Sequence, residues 1–427
     1  MSFTHDTPVG LQGWQERILH AYHHGEALAL RGLQTKDFFT RHRLHQPLSV
    51  LSTAALGASI EHEPSELYVR VQSAASLSMV EEVLDKAGQC LAFEPPCFLL
   101  KDSPSVANAS IGGMVASGLS GPARVSAGSL RDHVLGVSLI NGRGEYLQFG
   151  GQVMKNVAGY DVSRLLCGSW GMLGLITEVT FKVLPKAPCE QSIQVRASQS
   201  QALALLAQWG TRAWPLNASV WAPPSHDGHH SSDPRHHDQE GGTWTLRFRG
   251  AAASVKASVE SLHAEFKRLG LVSLELSAMQ AQTLWSSVKD QTHGFFVSPP
   301  GVDSSQENAS SFNVLWRLSL PLTQQHNTQA LPSSPQAFME WHGALRWFWA
   351  PLSQGLALRQ EAATIGAQLT LWKTPSCLEA QALASSLTSS ATAALLRPAL
   401  SHASAKLNTH IQQAFDPKGV FYNGCLF

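Results

Sequence analysis

The spacing of apolar side chains divides the first part of the chain into short helices and strands. An amphipathic helix is predicted near the N-terminus, because apolar residues recur at helical spacing at Leu11, Trp14, Ile18 and Tyr22. Residues 27–30 form a short apolar run, which predicts a buried strand. In residues 67–71 the side chains alternate in the pattern of a strand, which predicts a second one. A helix is predicted over residues 76–88, with Ser76 as its N-cap.

The remaining part of the first half is typical of strands that end in turns or at proline. Residues 134–140 and 145–149 flank an Asn-Gly-Arg-Gly sequence, which predicts a hairpin. Residues 90–93 and 172–184 predict two further strands. The mixture of strands and helices up to residue 188 predicts an α+β domain.

The pattern changes after Pro188, where we expect a domain boundary. Two helices are predicted at 201–209 and 251–269, and strands are predicted at 192–197, 218–221, 244–248, 272–276, 314–320 and 367–372. This order predicts an antiparallel sheet with helices on one face, followed by a final helix over 401–415. Surface insertions rich in Pro, Ser, Gln, Asn or His are predicted near 223–242, 299–311 and 323–336.

Composition and charge exclude several classes of protein. A chain of 427 residues with 44% apolar residues predicts two globular domains. Lys+Arg and Asp+Glu are both 31, so no net charge points to a nucleic-acid partner. The six cysteines show no C-x-x-C spacing, which argues against an iron–sulfur loop. Without a signal-like N-terminus or a run of about 18 apolar residues, we expect a cytoplasmic protein with free thiols.

Glycine is concentrated in the segment between residues 112 and 174, which contains fourteen of the 33 glycines. No acidic residue occurs between residues 103 and 130, so this segment suits a phosphate group bound through close backbone approach. The alternative is a set of tight turns between short strands. Neither G-x-G-x-x-G after a strand nor G-x-x-x-x-G-K-[ST] is present, so a bound nucleotide requires another scaffold.

Several motifs in this segment resemble the PCMH-type FAD-binding domain of the vanillyl-alcohol oxidase superfamily. They are Ile-Gly-Gly-Met at 111–114, Gly-Ser-Leu-Arg-Asp at 128–132, Lys-Asn-Val-Ala-Gly-Tyr-Asp at 155–161 and the run 168–178. The run 150–165, with Phe-Glu-Pro-Pro at 93–96 and Ala-Leu-Arg-Trp at 344–347, more narrowly resembles the FAD-binding E subunits of glycolate oxidases. The similarity is dense from about residue 27 to 188 and thinner beyond.

The resemblance implies a domain organisation. It implies a PCMH-type FAD-binding domain of two α+β subdomains over 1–188, then an antiparallel-sheet cap or substrate domain over 189–400. The segment 401–427 is expected to return to the FAD domain. Leu33 and Gln34 stand where the family's turn is richer in glycine, and the family's arginine is missing from Tyr422–Cys425.

The resemblance also implies the residues that bind FAD. The turn after the first strand is expected against the pyrophosphate, through Arg31, Gly32, Thr35 and Lys36. The diphosphate candidates are Ser110, Gly112, Gly113, Ser117, Gly121 and Arg124, and the motif at 128–132 adds Gly128 and Ser129. The residues expected along the isoalloxazine and ribityl chain are Gly168, Gly171, Gly174 and Ile176. No histidine stands in the turn or near Gly112 to tether a flavin, which predicts non-covalent FAD.

Three clusters of side chains have two interpretations each. Lys155 and Arg164 are candidate cations for the carboxylate of a hydroxy acid, and Tyr160 is a candidate hydroxyl partner. The alternative is that these residues form an internal ion-pair network with Asn156 and Asp161. The first insertion contains five histidines, which either bind a metal ion or belong to a solvated loop: His226, His229, His230, His236 and His237.

An aromatic cluster is predicted either to pack in the core of the second domain or to form an interface with a partner: Trp341, Leu345, Trp347, Phe348 and Trp349.

The function implied by the resemblance is oxidation of glycolate to glyoxylate. It implies two partners, a second FAD-containing subunit and an iron–sulfur subunit, because this chain has no cluster-type cysteine spacing. Through them the complex could lie at the inner face of the membrane. Two alternatives stay open, a stand-alone FAD-dependent 2-hydroxy-acid dehydrogenase and a scaffold subunit that has lost FAD.

Overall fold

The computed structural model describes residues 10–40, 49–54, 56–98, 109–151, 161–224, 241–297, 313–328, 331, 337–373, 395 and 400–421. The chain divides into two compact units. The first unit comprises Met1–Gly121, Gly128–Lys186 and Leu400–Phe427, and the second comprises Pro122–Ala127 and Ala187–Ala399. Whether these units act as the separate cofactor and cap domains expected over 1–188 and 189–400 stays a prediction.

The described residues form helices and strands throughout both units. The helices are α1 (Gln12–His24), α2 (Asp37–Thr40), α3 (Leu77–Lys86), α4 (Ile111–Ser117), α5 (Arg124–Ala127), α6 (Leu130–His133), α7 (Val162–Leu165), α8 (Gln199–Trp209), α9 (Ala252–Arg268), α10 (Ala278–Lys289), α11 (Gly294–Val297), α12 (Gly355–Thr364) and α13 (His402–Phe415). The strands are β1 (Leu28–Arg31), β2 (Ser49–Ser52), β3 (Ile60–Glu63), β4 (Tyr68–Gln72), β5 (Gln89–Cys90), β6 (Val134–Ile140), β7 (Tyr146–Gly150), β8 (Leu175–Lys182), β9 (Leu184–Pro185), β10 (Cys189–Ala197), β11 (Leu216–Ala222), β12 (Gly242–Gly250), β13 (Ser273–Glu275), β14 (Asn313–Ser319), β15 (Phe338–Glu340), β16 (Leu345–Pro351) and β17 (Gln368–Lys373).

The first unit is built on a five-stranded antiparallel sheet in the order β3-β4-β8-β6-β7. Alternation in β4 buries Val69 and Val71, which pack with the apolar faces of α3 and α4 in one core. Ser76 caps α3 by accepting the Met79 N–H at 3.2 Å, as predicted. The parallel pair β1-β2 and the short pair β5-β9 complete the strands described in this unit.

The segment that follows α13 is held against β1 and the β6-β7 turn by a buried carboxylate. The side chain of Asp416, 2% exposed, accepts the N–H groups of Val420 at 2.8 Å and Phe421 at 2.7 Å. The Leu28 N–H donates to the Val420 carbonyl at 2.7 Å, which ties this segment to β1. A Cβ at Gly142 would lie 2.3 Å from the Asp416 carboxylate, so only glycine permits this approach.

The second unit contains an eight-stranded sheet in the order β13-β10-β12-β11-β15-β16-β14-β17, in which every pairing is antiparallel. One face carries large apolar side chains, such as Trp244 and Leu246, against α8 and α9, and others, such as Trp316, against α12. Trp285 of α10 donates to Ser192 at 2.9 Å, on the opposite face of the sheet. The prediction of helices on one face only was therefore wrong.

Most predicted elements are confirmed, including α1, the β6-β7 hairpin, α8, α9 and α13. The strand predicted over 90–93 was wrong, because β5 ends at Cys90 and the backbone turns at Glu94 with φ of 49°. The aromatic run near Trp347 forms the strand β16, which was not predicted. It is buried along its length, so the polar alternation that marks a half-exposed strand is missing.

Candidate functional site

A cavity of about 120 Å³ lies in the first unit, where three segments meet. The segments are the end of β1 with the turn after it, helix α4, and the loop before β8. Its lining consists of Ala29, Leu30, Arg31, Gly32, Leu33, Gln34, Thr35, Lys36, Ser110, Gly113, Ala116, Ser117 and Trp170. The cavity thus brings together two groups of predicted FAD contacts that are about eighty residues apart in sequence.

The turn over residues 32–36 presents backbone donors to the cavity. None of the N–H groups of these five residues donates to another residue that the structure describes. Gln34 has φ of 59°, in the left-handed region that favours glycine, which shows how the turn keeps its shape without a glycine there. Backbone N–H groups that have no acceptor within the protein are available to a ligand, so the turn suits a group with several anionic oxygens.

Gly32 allows the turn to approach helix α4 closely. A Cβ at this position would lie 2.5 Å from Ser110 Oγ, closer than real side chains approach. Ser110 is itself buried and is the N-cap of α4, where its hydroxyl accepts the Gly113 N–H at 3.3 Å. The two walls of the cavity therefore meet only because residue 32 has no side chain.

The first amides of α4 are already bonded within the protein. The Ile111 N–H donates to the Ala75 carbonyl at 3.0 Å and the Gly112 N–H to the Ser73 carbonyl at 2.9 Å. Gly112 does not line the cavity, and its Cα packs against Ser73. Helix α4 contributes small side chains and the hydroxyls of Ser110 and Ser117, while the donors come from the turn.

The loop before β8 is fixed to α4 by two backbone hydrogen bonds. The Gly168 N–H donates to the Val115 carbonyl at 3.1 Å and the Trp170 N–H to the Ala116 carbonyl at 2.8 Å. Trp170 has φ of 52° and stacks on Phe39 with ring centroids 4.4 Å apart. Sequence reasoning missed Trp170 as a lining residue, although a large aromatic residue in a Gly-Ser-Trp-Gly run was the available signal.

Lys36 supplies the cavity with a cation whose charge is easily lost. Burial lowers the pKa of Lys36 to about 8, and the neighbouring Cys97 opposes this shift. The Lys36 Nζ atom lies 5.8 Å from the centroid of the Phe98 ring, so its surroundings are largely apolar. A diphosphate beside this amine would favour its charged form.

The structure places the other predicted FAD contacts outside the cavity lining: Gly112, Gly121, Arg124, Gly128, Ser129, Gly168, Gly171, Gly174 and Ile176. At Gly121 a Cβ would lie 2.4 Å from the Glu94 carbonyl, and Ser129 donates to the Asp132 carboxylate. Ile176 is buried in the core of the first unit. These contacts show packing roles, and a role in cofactor binding stays a prediction for this group.

Arg124 lies in the second unit on α5, where its guanidinium carbon is 4.4 Å from the centroid of the Trp341 ring. Arg124 is not among the residues that line the first-unit cavity, and its contact with the diphosphate stays a prediction.

The candidate catalytic residues are only partly visible. Lys155, Asn156 and Tyr160 lie outside the described residues. Arg164 forms an exposed ion pair with Asp161, with Nε 3.1 Å from Oδ2. This contact agrees with the ion-pair interpretation, and a catalytic role stays a prediction.

The histidine cluster at 226–237 and two of the six cysteines also lie outside the described residues. Within the part of the chain that the structure describes, no three His, Cys, Asp or Glu side chains are grouped to hold a metal ion. Cys90, Cys97, Cys167 and Cys189 form no disulfide with a described residue. No helix among the described residues combines the length and apolar character needed to cross a bilayer.

Comparisons with known proteins identify an FAD binding domain in the chain. Residues 15–150 match the family described as an FAD binding domain. The chain is 32% identical over 336 residues to glycolate oxidase subunit GlcE of Escherichia coli (strain K12), and the match covers 79% of each chain. It is 32% identical over 135 residues to glycolate oxidase subunit GlcD of Bacillus subtilis (strain 168), covering 31% of this chain and 27% of that one.

Solved structures of alkyldihydroxyacetonephosphate synthase share the fold. One of them superimposes with a TM-score of 0.62 at 13% identity, covering 95% of this chain and 73% of that one. The predicted α+β architecture, a PCMH-type FAD-binding domain followed by an antiparallel-sheet domain, is confirmed. The protein is therefore a flavoprotein of the PCMH type with FAD as its cofactor. Within that class, the chain belongs to the family of glycolate oxidase subunit GlcE.

Proposed function

We propose that this chain is the FAD-binding subunit of a glycolate oxidase (glycolate dehydrogenase) complex, in which glycolate is oxidised to glyoxylate. The observation that supports the proposal most strongly is the turn over residues 32–36, whose free N–H groups and Lys36 face a cavity in a chain of the GlcE family. When bound, FAD accepts two electrons and a proton equivalent from an α-hydroxy acid.

The residues of the cavity have separate roles in this proposal. The turn amides and the Lys36 amine bind the diphosphate oxygens, and the Ser110 hydroxyl lies on the opposite wall. The Ser117 hydroxyl is already used within the protein, because it donates to the Met114 carbonyl at 3.0 Å. Trp170, stacked on Phe39, closes one side of the cavity to water. These contacts are non-covalent, because no nucleophilic histidine or cysteine is among the lining residues that the structure describes.

The complex is proposed to include a second FAD-containing subunit and an iron–sulfur subunit. Electrons that leave this chain need an acceptor, and no metal-binding group occurs among its described residues. We propose a cytoplasmic location, or one at the inner face of the membrane through these partners. The two other outcomes, a stand-alone 2-hydroxy-acid dehydrogenase and a scaffold without FAD, are distinguished by the experiments below.

The first experiment is purification of the chain alone, followed by flavin absorbance and glycolate-dependent dye reduction. The proposal predicts a yellow protein that reduces dye with glycolate only when the two partner subunits are added. Dye reduction by the isolated chain supports the stand-alone enzyme instead. A colourless protein that gives no change in melting temperature on addition of FAD supports the scaffold.

A substitution at Gly32 tests the cavity itself. Gly32→Ala forces Ser110 and the turn apart, so we expect the dissociation constant for FAD to rise by at least about tenfold, which corresponds to roughly 1.4 kcal/mol. Gly13→Ala is the matched control, because a Cβ there meets no atom within 4 Å. Unchanged FAD affinity in Gly32→Ala, measured by calorimetric titration of apoprotein, would show that FAD does not bind at this turn.

A further inference from the structure

The last two turns of α1 present two histidines on one side of the helix. His20 and His24 are four residues apart, a spacing that places side chains next to each other on a helix surface. Their imidazole rings are stacked, with centroids 4.0 Å apart. Both residues are exposed, and neither belongs to the apolar core beneath α1. The two rings therefore form an accessible pair of nitrogen ligands.

A hydrogen bond of His24 determines which nitrogen of its ring carries the proton. The Nδ1 atom lies 2.8 Å from the backbone carbonyl oxygen of His20. Because a carbonyl oxygen only accepts, Nδ1 must be the donor and must carry the proton. In the neutral ring, Nε2 then keeps an unshared electron pair, and this is the form in which imidazole binds a metal ion.

A carboxylate lies at the corresponding nitrogen of His20. Gly25 ends α1 with φ of 66°, and the chain then turns so that Glu26 lies beside the helix. The Glu26 Oε2 atom is 3.8 Å from His20 Nδ1. The hydrogen bond from Arg17 lowers the pKa of Glu26 to about 2, so this carboxylate is negatively charged at neutral pH. A negative charge beside Nδ1 favours the proton on that atom, which leaves Nε2 of His20 unprotonated in the neutral ring.

Both rings thus have the surroundings that are usual for metal-binding histidines, in which an oxygen atom lies at the ring nitrogen that does not bind the metal. His24 is in the last turn of α1, where the helix dipole gives a partial negative charge that attracts a cation. Nitrogens bound to one tetrahedral ion are roughly 3.4 Å apart, because each metal–nitrogen bond is about 2.0–2.1 Å long. Two exposed rings can reach this separation by small rotations about their side-chain bonds.

We propose that His20 and His24 together bind a divalent transition-metal ion of the zinc and copper class through their Nε2 atoms. Imidazole nitrogen suits these ions, whereas Mg²⁺ prefers oxygen ligands. The described residues contain no group of three His, Cys, Asp or Glu ligands, so water takes the remaining coordination positions. No residue of α1 lines the cavity of the first unit, so the metal site is separate from the proposed FAD site.

The test is protection of individual histidines in the full-length chain from diethyl pyrocarbonate, which reacts with unprotonated imidazole nitrogen. Modification is measured by tandem mass spectrometry with Zn²⁺, with Mg²⁺ and without added metal. Trypsin releases residues 18–31 as one peptide, so the exposed His23 serves as an internal reference for its two neighbours. At a Zn²⁺ concentration about tenfold above the dissociation constant, we expect His20 and His24 to react about tenfold more slowly. The rate at His23 should change less than about twofold, and Mg²⁺ should protect none of the three.

Substitutions distinguish one ion held by both rings from separate ions on single rings. His24→Ala should raise the Zn²⁺ concentration needed to protect His20 by about tenfold or more, because one of two ligands is lost. His23→Ala is the matched control and should leave the protection of both rings unchanged. If circular dichroism shows that His24→Ala is unfolded, His20→Ala with protection read at His24 provides the same measurement.

Three results would each overturn the proposal. They are no protection by Zn²⁺ in the unsubstituted chain, equal protection of His23, and unchanged protection of His20 in folded His24→Ala. Because every reading comes from the peptide of residues 18–31, Zn²⁺ bound elsewhere in the chain does not enter the result. The assay needs no bound FAD, so its outcome is independent of the proposed function.

Discussion

At the scale of the residue, Lys36 combines a buried amine with a predicted anionic ligand. Its pKa of about 8 is below the ordinary value of 10.5, because burial disfavours the charged form. The folded protein without FAD therefore binds this proton less tightly than the unfolded chain. FAD binding and apoprotein stability should consequently respond to pH in opposite directions.

We expect the dissociation constant for FAD to rise as pH increases through 8 and beyond, since the amine that faces the diphosphate loses its charge. Over the window from about pH 8 to 10.5, the same group makes the unfolding free energy of apoprotein increase, because only the unfolded chain still holds the proton. Lys36→Met should remove the pH dependence of FAD affinity and that of apoprotein stability. Lys36→Arg should make FAD affinity independent of pH over this range, because arginine keeps its charge. Calorimetric titration and urea denaturation at several pH values measure them. A pH-independent FAD affinity in the unsubstituted protein would contradict this role for Lys36.

Several residues of the candidate site could be predicted from sequence and others could not. The turn at Arg31–Lys36 and the Ser110–Ser117 segment carry local motifs, and the structure brings both to one cavity. Gln34 departs from the glycine-rich pattern of the family, yet its backbone has φ of 59°, as a glycine there could have. This could not be predicted, because the sequence does not reveal the backbone angles of a residue. In the second unit, Arg317 approaches Trp341 only through the pairing of distant strands, so the aromatic cluster noted in the sequence did not mark Arg317.

At the scale of the element, the turn after α13 is the clearest case of a segment held by one side chain. Asp416 is buried, and burial raises its pKa, while the N–H groups that it accepts act in the opposite direction. The same N–H groups belong to Val420 and Phe421, whose side chains complete the core beneath α1 and β1. One carboxyl group thus determines whether this segment closes that core.

We expect Asp416→Ala to lower the unfolding free energy by about 2–4 kcal/mol, because two buried N–H groups lose their acceptor. Asp416→Asn retains one acceptor oxygen and should cost less. Asp85→Ala removes an exposed carboxylate that pairs with Lys186 and should change stability by at most about 1 kcal/mol. Urea denaturation compares the three variants, and an Asp416→Ala protein as stable as Asp85→Ala would contradict the assignment.

Most elements were predictable because local signals and tertiary structure agree. The sequence signals for the Ser76 cap and for the apolar face of α3 lie within about ten residues of each other, and the structure confirms both. The strand at 90–93 was wrong because the apolar run there is buried against the core in a turn rather than in a ladder. Helix α10 was missed because its apolar side chains are sparse, with Ala281, Trp285 and Val288 buried.

At the scale of the whole molecule, each unit has its own apolar core, and the cavity described above lies in the first unit. Ten of the twelve tryptophans belong to the second unit, and only Trp14 and Trp170 belong to the first. Tryptophan emission therefore reports mainly on the second unit. The change in composition after Pro188 marked this division in sequence, whereas the transfer of residues 122–127 to the second unit had no signal.

We expect FAD to raise the melting temperature of the first unit and to leave that of the second nearly unchanged, because a ligand stabilises only the structure that binds it. Far-ultraviolet circular dichroism follows both units, and tryptophan emission follows the second. Saturating FAD should shift part of the dichroism transition upward and leave the emission transition in place. Gly32→Ala is the control that should show neither shift, and an equal FAD-induced shift in both signals would contradict independent units.

The first unit is assembled from three separate stretches of chain, and the last of them follows the whole second unit. During translation, residues 187–399 emerge before Asp416, Val420 and Phe421 can reach β1. The first unit can therefore be completed only after the second unit has emerged, which differs from the usual case of an N-terminal domain that is complete first. Until residues 416–421 have been synthesised, a nascent chain would leave the apolar side chains of Ile18, Ala21 and Leu28 without part of their core, and chaperones can act during this interval.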